Sequence, residues 1–209
     1  RRPFFVERRE LLEANGLFYS RRIGAAPSGD VDADYADFPA NTTILGAGKL
    51  TGRTPGGLSV GALLAATAEE SARTFDSGTG IEDRVRIEPA TGWGVLSLEQ
   101  QFGSAGSTIG VAGTAVRRDL AVNDPLAADY NRQAYAGSVD TRLRFEGGTY
   151  ELRGQVAGSY VEGTTERITD LQQFSSHFFQ RPDATHVELD TTRTSLSGYS
   201  VELDFERTR

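Results

Sequence analysis

AYAGSVDTRLRFEGGTYELRGQVAGSYV, from Ala134 to Val161, alternates residue by residue between two kinds of side chain. One set is Tyr135, Gly137, Val139, Thr141, Leu143 and Phe145, then Tyr150, Leu152, Gly154, Val156, Gly158 and Tyr160. The other is Ser138, Asp140, Arg142, Arg144 and Glu146, then Glu151, Arg153, Gln155, Ala157 and Ser159. Period two on both arms is the pattern of a strand with two unlike faces, and Gly147-Gly148 supplies the positive φ angles of a tight hairpin turn. A two-residue turn there sets Tyr135 against Tyr160, Val139 against Val156, Leu143 against Leu152 and Phe145 against Tyr150. The apolar ladder then has aromatic rings at both ends and aliphatic side chains between.

The ladder from Tyr135 to Phe145 is about 33 Å long at ~3.3 Å per residue. Tilted by ~40°, it covers about 25 Å of height, the apolar band of a transmembrane barrel. Tyr135, Phe145, Tyr150 and Tyr160 are then candidates for its aromatic girdles. On the polar face the same register puts Arg144 opposite Glu151 and Arg142 opposite Arg153. Asp140 and Glu151 flank that like-charged pair diagonally. Asp140, Arg142, Arg144, Glu151 and Arg153 form the candidate network, a hydrated lumen wall in a barrel and a solvated face in a soluble protein.

Composition is compatible with a barrel, in which every second residue of a strand is polar. The chain has 209 residues, 38% of them hydrophobic, and 24 glycines. Its longest nearly apolar run, Val60 to Ala66, is far short of the ~20 residues of a transmembrane helix. A net charge of −7 argues against nucleic acid as a partner, which calls for a basic patch. Without cysteine, disulfides and thiolate metal sites are excluded. There is no methionine and no signal-peptide pattern at residue 1, so we expect an excised piece of a larger protein.

Other segments repeat the hairpin plan. Residues 1–15 read as a lead-in on the periplasmic side, with a Phe4-Phe5-Val6 cluster and a turn or two of helix in Glu7–Ala14. Residues 16–209 read as the N-terminal part of a barrel. Leu17–Gly24 is a first short strand, and Thr42–Arg53 and Leu58–Ala68 a hairpin about Pro55-Gly56-Gly57. Trp93–Phe102 and Ser107–Arg118 make another about Gly103–Gly106. Trp93 and Phe102 differ in parity, which requires either a bulge or ends on opposite faces. Ser195–Glu206 is the last strand, giving eight. Ala25–Ala40, Glu69–Thr91, Asp119–Gln133 and Gly163–Thr192 read as loops. Short turns thus alternate with long loops at a repeat of about 45 residues, the asymmetry of outer-membrane barrels; a propeller blade of that length needs four strands. As excised, the chain should be an open curved sheet with Leu17–Gly24 and Ser195–Glu206 at its edges.

Candidate chemistry is sparse. Asp30, Asp32 and Asp34 resemble the opening of a calcium loop, but Tyr35 replaces its glycine and Asn41 its bidentate glutamate, which favours a solvated acidic loop. Gly46-Ala47-Gly48-Lys49 has Thr43 and Leu50 where a phosphate loop needs Gly and Ser or Thr, so the strand reading prevails. His177 and His186 stand beside Asp183, Glu188 and Asp190 without a zinc spacing or a nucleophile elbow. No catalytic residue, metal ligand or cofactor site is identified.

RPFFVE (Arg2–Glu7), LFYSRRIG (Leu17–Gly24), ILGAGKLTGRT (Ile44–Thr54), FFQRPD (Phe178–Asp183) and TSLSGY (Thr194–Tyr199) together resemble a family of bacterial envelope proteins. Its members carry an N-terminal carbohydrate-binding family-nine-like domain, followed by a region of uncharacterised function similar to a TonB-dependent-receptor barrel. Arg8 stands where such sequences commonly have glycine. The resemblance implies an antiparallel up-and-down transmembrane β-barrel in the outer membrane of a Gram-negative bacterium, with lipid as its partner. It implies a structural or transport role, linked to saccharide binding by an upstream domain outside this chain. Two other readings stay open: an envelope glycoside hydrolase or carbohydrate-binding protein with its site in the long loops, and a soluble β-sandwich binding module.

Overall fold

The alternating arms of residues 134–161 form the centre of a seven-stranded antiparallel sheet. The computed structural model describes residues 17, 20–121, 123–175, 179–180, 183 and 187–207. Strands β1 (Tyr35–Asp37), β2 (Ile44–Arg53), β3 (Leu58–Thr67), β4 (Glu70–Asp76) and β5 (Ile81–Glu88) are followed by β6 (Thr91–Phe102), β7 (Ser107–Arg118), β8 (Gln133–Phe145), β9 (Tyr150–Glu162) and β10 (Ser195–Arg207). The large sheet runs β10-β9-β8-β7-β6-β3-β2, and a small one runs β1-β4-β5. The described chain is therefore all-β with ten strands in two open antiparallel sheets.

The register of the central hairpin is the one read from sequence: Tyr135 pairs with Tyr160, Val139 with Val156, Leu143 with Leu152, Phe145 with Tyr150 and Arg144 with Glu151. The turn itself is wider. Residues 146–149 form a four-residue turn between the paired Phe145 and Tyr150, in which Glu146, Gly147 and Gly148 all have positive φ. Adding two residues symmetrically to the turn leaves the pairing unchanged, which is why the register survives.

Four expectations are corrected. The described residues of Leu17–Gly24 form no strand: Ser20–Arg22 is a 3-10 turn, and Ile23 is buried with Leu63, Ala65, Val95 and Ala112, against which Leu17, Ile44 and Trp93 also pack. The sheet edges are consequently β2 and β10. Glu69–Thr91 is not a loop but the hairpin β4–β5, joined by β1 from within Ala25–Ala40. Its second arm does alternate, with Ile81, Val85 and Ile87 against Glu82, Arg84, Arg86 and Glu88, but the high charge of the segment reads as a loop. Gly163–Thr192 contains α1 (Thr165–Gln173), capped by Thr164 Oγ1 accepting from Arg167 N at 3.2 Å. The Phe4–Val6 cluster, the helical turn of Glu7–Ala14, His177 and His186 lie outside the described residues.

Strand β6 has no bulge against β3 or β7, so Trp93 and Phe102 point to opposite faces. The short turns between β2 and β3, β6 and β7, and β8 and β9 all lie at one end of the sheet. At the first of them Gly57 has φ 86°, and a Cβ there would lie 2.9 Å from the carbonyl oxygen of Gln101. Glycine is required on both counts. The long connections, with β4–β5 inserted in one of them, lie at the other end.

The two faces of the large sheet differ. We call the face covered by Ile23 the inner face. Near the long connections it is apolar and closed by Ile23; burying a side chain such as Leu63 contributes about 1.5–3 kcal/mol. Near the short turns it is charged. The opposite, outward face leaves Leu64, Leu96, Val111, Val139, Val156, Val201 and Leu203 exposed.

Candidate functional site

Because β8, β9 and β10 pair without interruption, every second residue of each falls on the inner face in a common row. Arg142 lies opposite Arg153, and Arg153 opposite Asp204; Arg144 lies opposite Glu151, and Glu151 opposite Glu206. Glu151 is the hub. Its carboxylate accepts from Arg144 Nε at 2.8 Å and from Arg153 Nε at 2.5 Å, with Arg142 Nε at 3.5 Å. Arg153 continues to Glu206 at 2.5 Å and to Asp204 at 3.9 Å. Three guanidinium groups thus meet three carboxylates across three strands.

The Glu151 side chain is only 4% exposed, whereas its arginine partners are more than a third exposed. The arginine stems cover the carboxylate while their heads stay wet. Asp140 sits on the same face over Gly110, and a Cβ at Gly110 would come within 2.5 Å of Asp140 Oδ1. The five network residues proposed from sequence therefore share a face, and four of them are tied together directly through Glu151.

Sequence reasoning missed Asp204 and Glu206, which extend the network onto β10. Their alternation with Leu203 and Phe205 was the available signal, and the pairing of β10 with β9 turns it into contact. It also missed Arg53, which hydrogen-bonds Gln101 across the same face. Of the aromatic candidates, Tyr135 stacks on Tyr160 with ring centroids 6.5 Å apart. Tyr150 stacks on Phe205 at 5.9 Å. Phe145 is exposed on the outward face.

A second polar cluster ties the small sheet to the connection between β7 and β8. Arg86 Nη1 pairs with Asp124 at 2.6 Å and its Nη2 donates to the Asp119 carbonyl at 2.8 Å. Tyr130 Oη lies 2.5 Å from Glu88 Oε2 and 2.9 Å from the Ile87 carbonyl, and accepts from Ser28 N at 3.1 Å. Burial and the neighbouring Glu88 carboxylate push the Tyr130 phenol well above its usual range. It is a structural tie that stays protonated.

On the small sheet Tyr35 and Phe75 form an exposed ring pair, centroids 6.2 Å apart, beside the Asp37–Arg73 ion pair at 2.8 Å. The shallow depression here has a volume of about 750 Å³. Asp34, from the acidic stretch, accepts from Ser77 N at 2.8 Å and from its hydroxyl. Among the described residues no three His, Cys, Asp or Glu side chains are grouped to hold a metal ion.

The inner network is self-neutralising and holds no nucleophile beside a base. What it does physically is fix three arginine side chains across a sheet face that stays hydrated. A family model described as a domain of unknown function, DUF5916, matches residues 1–197. No curated protein and no solved structure matches the chain.

Proposed function

Given that this chain belongs to the DUF5916 family, we propose that it is the N-terminal wall of an outer-membrane β-barrel with a structural or transport role. One observation carries the reading: the large sheet leaves an apolar face uncovered and, toward the short turns, covers charge on the other. Its inner face buries the ion-paired Glu151, while its outward face leaves Leu64 69%, Val156 54% and Leu203 77% exposed. Contiguous apolar surface of that extent marks a contact with lipid or protein. No second sheet covers it among the described residues, which disfavours the β-sandwich.

In this reading the outward face meets outer-membrane lipid and the inner charges line a hydrated interior. The open edges β2 and β10 pair with further strands, because an unpaired backbone edge is not tolerated in hydrocarbon. The long connections face outward from the cell and the short turns face the periplasm. The test is topological. Epitope tags in the β4–β5 hairpin, near Asn123 and near Asp183 of the full-length protein should be reachable on intact cells. Tags near Gly56, Ala105 and Gly147 should become reachable only after permeabilisation. A mixed pattern refutes the arrangement.

Saccharide binding in the long-loop region is a second reading, favoured by the Tyr35–Phe75 pair beside Asp37 and Arg73. Exposed rings stack on the C–H face of a sugar while charged groups bond its hydroxyls. Tyr35→Ala should then abolish retardation of the full-length protein in gels containing neutral polysaccharide. Mobility unaffected by the polysaccharide, with Tyr35 intact, removes this reading.

A further inference from the structure

We infer that an oblique trench on the outward face seats an anionic phospholipid, its acyl chain along the trench and its phosphate on Arg117. The inference rests on the membrane reading above. Along the ladder row that begins with the stacked Tyr160 and Tyr135, the next outward positions are Ala115, Gly94, Leu64 and Gly48. The row beside it, toward the long connections, runs Arg117, Gly92, Ala66, Gly46. Where the central hairpin carries rings, Leu64 is the one large apolar side chain that these strands place in the two rows. The depression left has a volume of about 600 Å³ and is nearly all apolar.

Backbone geometry does not require those glycines. None of Gly46, Gly48, Gly92 and Gly94 has positive φ. A Cβ at Gly46 or Gly48 would meet nothing within 4 Å, one at Gly92 nothing nearer than 3.9 Å, and one at Gly94 would make ordinary contact with Leu64 Cδ2 at 3.5 Å. The trench is therefore space that larger residues could fill without disturbing the strands.

Among the described residues Arg117 is the only charged one lining it. The side chain is exposed and has no ion-pair partner among the described residues, whereas Arg132 nearby is paired with Glu162. It stands one residue from the end of β7, beyond the Tyr135 row and toward the long connections. Gly48, at the far end of the trench, lies four residues inside β2. Barrel strands tilt by ~35–45°, so a groove crossing them runs obliquely through the bilayer rather than along its plane. An apolar groove with one cation at its β7 end, near the end of that strand, complements an acyl chain leading to a phosphate, and guanidinium matches phosphate by paired N–H donors.

The test uses the full-length protein in nanodiscs of phosphatidylcholine with a minority of phosphatidylglycerol, followed by native mass spectrometry of retained lipid. The wild type should keep one phosphatidylglycerol. Arg117→Gln should retain it about tenfold less, a difference of ~1.4 kcal/mol. Gly48→Phe, which fills the trench and leaves Arg117 in place, should lose it as well. Arg132→Gln should not. Retention equal in wild type, Arg117→Gln and Gly48→Phe overturns the seat while leaving the barrel intact. A wild type that arrives as a dimer dissociated by Gly48→Phe makes a second copy the occupant and also overturns it. Failure of the protein to enter nanodiscs at all overturns the membrane reading, and the seat with it.

Discussion

Arg144 Nε and Glu151 Oε2 face each other at 2.8 Å across the β8–β9 ladder, on the sheet face opposite the exposed Val139 and Val156. A carboxylate is covered and valines are bare.

Removing the hub should cost more than removing a rim partner. Glu151→Ala leaves Arg142, Arg144 and Arg153 as like charges on adjacent ladder positions. Its unfolding midpoint should fall below that of Asp204→Ala, whose contact with Arg153 is 3.9 Å and exposed. Added salt should narrow the gap, since it screens the arginine repulsion. Denaturant melts at low and high salt check this, and equal midpoints would refute the hub.

An arginine on the outward face should be penalised by depth. In lipid, Val139→Arg should cost ~2–4 kcal/mol and Phe145→Arg, near the strand end, about 0–1 kcal/mol plus lost ring packing. Ser138→Arg, one residue along on the inner face, should be milder than Val139→Arg. Both Val139 and Phe145 are about half exposed, so a surface in water would tolerate either arginine with little and equal loss. Unfolding free energies of the three variants in one lipid decide between these outcomes.

One side chain clamps the helix in the last connection to the chain that follows it. Buried Gln172 donates from Nε2 to the Asp190 carbonyl at 2.9 Å, and its Oε1 accepts from Asp190 N at 2.9 Å. Gln172→Ala should leave those backbone groups unpaired at a cost of about 1–3 kcal/mol, mostly local. Amide exchange at Asp190 should accelerate, while exchange in β8 and β9 stays unchanged. Uniform acceleration would refute a local clamp.

Acid should loosen the long-connection end. Hydrogen bonds from the Ser77 hydroxyl and amide hold the Asp34 carboxyl below its ordinary value of 3.8, and Thr192 followed by Arg193 does the same for Asp190. Each folded-state value lies below the unfolded one, so the unfolded chain takes up the proton first as pH falls. Their stabilisation is full above the ordinary carboxylate range and is lost as pH drops through the folded values. Asp34→Asn with Asp190→Asn should flatten the acid limb of a stability–pH curve. A wild-type limb that persists in the double variant refutes the assignment.

How much of this was legible in the sequence follows from how local each contact is. The Tyr135–Tyr160 and Arg144–Glu151 pairings were readable because both arms are contiguous, alternate strictly and meet at one turn. The same reading erred at Leu17–Gly24, where Leu17 and Ile23 suit a short strand as well as they suit a cap on Leu63 and Val95. It also missed β4–β5, where the period of Ile81, Val85 and Ile87 is short and set among charged residues that suit a loop equally well.

By itself, then, the sequence determined the period-two hairpins, the glycine turns that close them and the sorting of apolar from charged side chains onto opposite faces. Those are properties of neighbours along the chain. Tertiary structure alone decided that Glu206 reaches Arg153, that Tyr130 locks Ser28 to Glu88, and that Ile23 rather than water closes the inner face. Each of these joins segments far apart in the chain. Which distant partner wins depends on packing and on the loop-closure entropy of the whole fold, and no local pattern encodes either.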